Sequence, residues 1–125
     1  PGLFYNLAVV TSDLGDKNSA REYYEKAIEI DPNYQNAYWN LVALILEGEQ
    51  QIVEEMNSLG TSSKDNARYD SLKLEREKLY KECVPILKKL INLEKNEDAI
   101  KTLMNIYGTI GNNEGFKEMK ALLSD

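Results

Sequence analysis

The chain contains no histidine, one cysteine, three prolines and one tryptophan in 125 residues. Without histidine, the usual general base of a nucleophilic triad and the commonest zinc ligand are both missing. The single cysteine, Cys83, excludes an internal disulfide and reads as a small buried group. No apolar run approaches the roughly 20 residues that span a bilayer. The longest, LVALILE from Leu41, is broken by Glu47 and Gly48. Phosphate-binding glycine loops of the GxGxxG or GxxxxGK[ST] kind do not occur, and GTSSK from Gly60 lacks their spacing. DLGDKNSARE from Asp13 has its glycine misplaced for a calcium loop. The sequence therefore predicts no catalytic residue, no cofactor and no metal. Positive charge is also short, with 15 Lys and Arg against 21 Asp and Glu. A net charge of -6 repels phosphate backbones and anionic headgroups, which excludes nucleic acid as a natural partner.

What is present is helical periodicity. Leu3, Leu7, Val10 and Leu14 recur at helical spacing and stop at Gly15-Asp16. Ala20, Tyr23, Tyr24, Ala27, Ile28 and Ile30 form a second run, ended by Asp31-Pro32-Asn33, because proline cannot continue the hydrogen-bond ladder. A turn that short forces the two helices antiparallel. A third run, from Tyr38 through Ile45 and Ile52 to about Asn57, is unusually long. Asn57 to Asn66 reads as a loop, and a fourth run carries Tyr69, Leu72, Leu79, Cys83, Leu87 and Leu90, with Pro85 inside it. Ile45, Ile52, Met56 and Leu59 are expected to pack on the stripe from Tyr69 to Cys83, while KLEREKLYKE from Lys73 reads as a solvated face. A last pair contains Ile100, Leu103, Met104 and Tyr107, then Phe116, Met119, Leu122 and Leu123.

Phe4, Leu7, Ala8, Gly15, Ala20, Tyr24, Ala27 and Pro32 fall on the positions of a 34-residue helix-pair pattern, with only the tyrosine expected at Thr11 missing. On those residues the chain resembles the tetratricopeptide repeat family. Tyr38, Leu41 and Val42 restart the pattern 34 residues later, after which about 29 residues separate Gly48 from Cys83 beyond the usual spacing. This arrangement is similar to bacterial tetratricopeptide proteins whose long-armed unit carries a VPIL-like proline. In the third unit Phe116 stands where the family has a small residue. The resemblance implies an all-α solenoid of about three antiparallel helix pairs with a right-handed superhelix. It divides the chain into a regular repeat at 1–34, a repeat at 35–96 with its insertion at about 49–77, and a degenerate terminal repeat at 97–125.

The same resemblance places a peptide ligand in a concave groove lined by the first helix of each pair. Its candidate contacts are Tyr5, Asn6, Trp39, Asn40 and Lys101. Asn6 and Asn40 stand one repeat apart, where family members that grip a peptide C-terminus place asparagines, but the basic partners of that clamp are not matched, since Gly2 and Asn36 stand where lysine is sought. The expected function is a non-catalytic scaffold for a protein or peptide, neutral or basic to suit the acidic surface. The competing expectation is an architectural or self-associating C-terminal segment of a longer repeat protein, pairing as a homo-oligomer through the arm and the Trp39 face without a dedicated ligand. The opening PGLFYNL has neither an initiator methionine nor a charged-then-apolar leader, which fits a piece of a longer protein or a processed form. The compartment, cytoplasmic or periplasmic, is left open.

Overall fold

The computed structural model describes residues 2–124 as six α-helices. They are α1 (Gly2–Asp13), α2 (Lys17–Ile30), α3 (Gln35–Ser58), α4 (Ser63–Leu93), α5 (Glu97–Ile110) and α6 (Asn113–Ser124). Each packs chiefly on its neighbours in sequence, giving an all-α array of three antiparallel helix pairs. The middle pair is the longest, at 24 and 31 residues against 12 to 14 for the others. No described helix is long and apolar enough to cross a membrane.

The turns follow from local chemistry. Gly15 and Gly111 adopt φ of 88° and 78°, a left-handed conformation that other residues rarely take, and each reverses the chain between the helices of a pair. Asp16, Ser62 and Asn96 then cap α2, α4 and α5 by accepting from the backbone N–H three residues on, at 3.1 Å each. At the junction of the first two pairs, the Tyr38 hydroxyl donates to the Pro32 carbonyl at 2.7 Å and fastens α3 to the turn before it.

Small residues bring the helices together. Ala8 of α1 and Ala20 and Ala27 of α2 are fully buried, as is Cys83 of α4. Around them Leu87 and Leu90 of α4 join Ala99, Ile100 and Leu103 of α5 in a core that runs through the array.

Several details differ from the sequence reading. The α3–α4 loop is confined to 59–62, because Ser62 starts α4 earlier than the expected loop end at Asn66. Leu3, Leu7, Val10 and Leu14, whose spacing revealed α1, face outward, while the half-buried Phe4 and the buried Ala8 pack inward. In the run from Lys73, Arg76 and Tyr80 turn inward to Glu49 of α3, so that face is only partly solvated. Tyr69, placed in the arm's inner stripe, is exposed, whereas Leu72 is buried. In the last pair the small contact residue is Gly115, one position before Phe116.

Candidate functional site

The first helix of the first pair and the first helix of the second meet through a polar and aromatic cluster. The Asn40 side-chain amide on α3 donates to the Tyr5 hydroxyl on α1 at 2.9 Å and to the Tyr24 hydroxyl on α2 at 3.3 Å. Tyr5 packs edge-on to Tyr24, with ring centroids 5.9 Å apart, and tilts against Tyr34 at 5.1 Å. Tyr24 is buried, and Tyr5, Tyr34 and Asn40 are half-buried. Periodicity explains the assembly: Tyr24 lies on the inner face of α2 with Ala20 and Ala27, and its hydroxyl reaches Asn40 of α3.

Both Asn40 bonds use the amide nitrogen, so its carbonyl oxygen has no partner among the described residues. The two tyrosine oxygens act there as acceptors, which leaves each O–H hydrogen available to donate. The cluster therefore has an unused acceptor on the half-buried Asn40 and an unused donor on the half-buried Tyr5, set on a rigid aromatic base with Tyr24 buried behind them. Burial pushes the Tyr24 hydroxyl above the ordinary tyrosine pKa; the Asn40 bond opposes this, and the charges of Asp13 and Glu47 add to it. Both carboxylates are exposed. Glu47 pairs with Lys17 of α2 at 3.2 Å, across a half-exposed gap.

The other sequence candidates stand apart from this group. Asn6 is exposed and makes no side-chain hydrogen bond among the described residues. Trp39 is half-buried and packs against the core cluster. Lys101 on α5 pairs with Glu97 one turn earlier, at 3.3 Å, so its charge is partly answered within its own helix. Tyr24 and Tyr34, not among the contacts expected from the sequence, also belong to the cluster, and of the two it is Tyr24 whose hydroxyl joins the hydrogen bonds. The available signal was its identity: a buried tyrosine hydroxyl needs a hydrogen-bond partner, which phenylalanine at that place would not.

A second concavity lies elsewhere. Between α2, α3 and α4, Ile28, Tyr38, Leu41, Pro85 and Ile86 line an open, mostly apolar cleft of about 360 Å³, with Glu29 and Lys89 among its wall residues. The Cys83 thiol is fully buried, and burial, with Glu82 adding to it, pushes it up to about 12, which keeps it protonated near neutrality. Among the described residues no group of three or more His, Cys, Asp or Glu could hold a metal.

Residues 1–34 match the family described as tetratricopeptide repeat. No curated protein matches the chain. Among solved structures the chain is similar to TTC0263, a thermophilic TPR protein in Thermus thermophilus. The identity is 22% over 94% of this chain and 69% of that one, with a TM-score of 0.35, too low to bear on the site.

Proposed function

We propose, from a chain that carries a tetratricopeptide repeat over residues 1–34, that it is a non-catalytic scaffold for a protein or peptide. Repeats of this family generally mediate protein–protein interactions. The face shared by α1, α3 and α5 is the docking surface in this reading, and the ligand is an extended segment of neutral or basic character. The observation that carries it is the Tyr5–Asn40–Tyr24 cluster. An extended backbone needs both a donor and an acceptor at each residue, and the cluster supplies both kinds beside two exposed carboxylates. A lysine or arginine in the ligand would set its charge against Asp13 and Glu47 and its stem against the Tyr5 ring.

The test is a peptide array of extended segments differing in charge, followed by titration of the best ligand. Replacing Asn6→Ala together with Asn40→Ala is expected to weaken binding about tenfold, the scale of one or two lost hydrogen bonds. Tyr5→Phe, which keeps the ring, should weaken it less. Capture unchanged in the double variant removes this face from consideration, and a preference for acidic segments removes the charge assignment.

A second reading, an architectural or self-associating segment without a dedicated ligand, draws on one observation. Of the large apolar side chains left exposed, most lie on or beside the first two helices.

A further inference from the structure

The cleft between α2, α3 and α4 continues beyond its main cavity. Toward the C-terminal ends of α2 and α4 a second hollow of about 230 Å³ adjoins the one of about 360 Å³, and the two share Tyr38 and Lys89 as lining residues. Together they make one groove, walled by α2 and its turn from Glu25 to Asn33 and by α4 from Pro85 to Leu93. Eight residue steps of helix measure about 12 Å, a little over two turns. Tyr38 of α3 lies on the floor where the hollows meet, and its hydroxyl is held on the Pro32 carbonyl at 2.7 Å.

We propose that this groove takes an amphipathic helix of a partner protein, with two apolar anchors seven residues apart and a basic edge turned toward α2. The site lies outside the Asn40 face and does not depend on it. The walls select the secondary structure of the occupant. Ile28, Leu41, Pro85 and Ile86 give the main cavity its apolar surface, and Pro85, exposed in the interior of α4, adds a rigid ring with no N–H to donate. An extended segment laid there would bury peptide groups against side chains that cannot bond them. A helix bonds its own backbone and presents only side chains. Its anchors at seven-residue spacing rise about 10 Å, which matches the span of the two hollows. The larger cavity suits an aromatic anchor and the smaller a leucine or valine.

Charge selects the edges. Glu25 and Glu29 stand on the α2 wall and Lys89 on the α4 wall, all three exposed. Glu25 is already paired with Arg21 at 3.1 Å, but Glu29 and Lys89 make no ion pair among the described residues. One turn to either side of Lys89, α4 carries Pro85, Ile86, Asn92 and Leu93, so its own helix supplies no opposite charge. A helix seated in the groove answers both residues at once, with Lys or Arg toward Glu29 and Asp or Glu toward Lys89.

The experiment is selection from a displayed library of amphipathic helices of about fourteen residues, or four turns. Each is apolar at two positions seven apart and randomised among Lys, Glu and Ala along both edges. Enriched sequences should carry Lys on one edge and Glu on the other. The best, made as a free peptide, is then titrated by fluorescence anisotropy to about 200 µM, a range that reaches weak, small interfaces. Pro85→Gln, an exposed change to a better helix former, should keep the circular dichroism and weaken binding about fivefold or more through lost apolar contact. Glu29→Lys combined with Lys89→Glu leaves the net charge unchanged. It should transfer the preference, by about fivefold, to the same peptide with its two edges exchanged, the scale of two surface ion pairs. Val10→Lys, among the apolar side chains exposed on α1, should leave binding unchanged. No enriched helix, or a peptide that binds equally well with a proline at its centre, overturns the proposal. Loss of binding in Val10→Lys overturns it by moving the ligand to α1, and a preference indifferent to the double charge exchange overturns the assignment of the edges.

Discussion

A Cβ built on Gly115 would lie 2.8 Å from three atoms of the Tyr107 ring. Tyr107 is only 3% exposed, so its ring has no room to swing aside. At Gly108, on the preceding helix, the same atom would meet Phe116 at 3.5 Å, an ordinary contact. Both glycines sit in helices, where alanine is favoured by about 1 kcal/mol, so local propensity predicts the same gain at each. Overpacking a buried site costs about 1–3 kcal/mol and should win at Gly115. Urea denaturation is therefore expected to show Gly108→Ala stabilised by up to about 1 kcal/mol and Gly115→Ala destabilised by about 1 kcal/mol or more. Equal gains at both would mean that α5 and α6 do not approach this closely. The sequence pointed to Phe116 because five residues separate Gly15 from Ala20 in the first pair, and the same step from Gly111 lands there. The observed step is four. Spacing within a repeat pattern is a rule about the regular units, and packing between α5 and α6 is decided by the Tyr107 ring opposite Gly115.

At the scale of the element, the long hairpin α3–α4 is held at two levels by different means. Near its base, the Glu49 carboxylate accepts from Arg76 Nε at 3.0 Å and from the Tyr80 hydroxyl, while Arg76 also donates to Tyr80 at 3.1 Å. Near its tip, Glu55 and Arg68 form a bidentate pair, with one bond at 3.0 Å. The tip pair has the better fork geometry, but its side chains are 42% and 45% exposed, against 22% and 30% for Glu49 and Arg76. Solvent screens the exposed pair, whereas removing Glu49 strands a partly buried guanidinium and a buried tyrosine. Glu49→Ala should lower stability by about 1–2 kcal/mol, and Glu55→Ala should lower it less, with the difference persisting in 1 M salt. A larger loss for the tip variant would reverse this ranking. The helices themselves were legible from apolar spacing and from the capping residues. The inward turn of Arg76 and Tyr80 was not, since KLEREKLYKE looks the same whether its partner is water or a glutamate on a helix distant in sequence. For the same reason spacing found α1 through Leu3, Leu7, Val10 and Leu14 without showing that this face points away from the core.

Across the whole molecule, each helix packs chiefly on the next, and two of the contacts that skip a helix are polar. Asn40 reaches Tyr5 from α3 to α1, and Arg21 reaches Glu82 from α2 to α4 at 3.1 Å. An array built this way behaves as a chain of units coupled to nearest neighbours, so its ends can open while its centre holds. The completely buried residues concentrate where α4 meets α5, at Cys83, Leu87, Leu90, Ala99, Ile100 and Leu103, whereas α6 buries only Gly115 and Met119. Native-state hydrogen exchange should accordingly find the slowest amides between Cys83 and Leu103 and much faster exchange in α6. Cys83 gives a second readout of the same centre. Its thiol has no exposed surface and, pushed up to about 12 by burial, exposes no thiolate until α4 separates from its neighbours. Alkylation of Cys83 in the native chain should therefore proceed at the pace of the slowest amides and rise together with them on adding urea. Labelling as fast as α6 exchanges, or one uniform protection along all six helices, would show that the array opens as a single cooperative unit instead of from its ends.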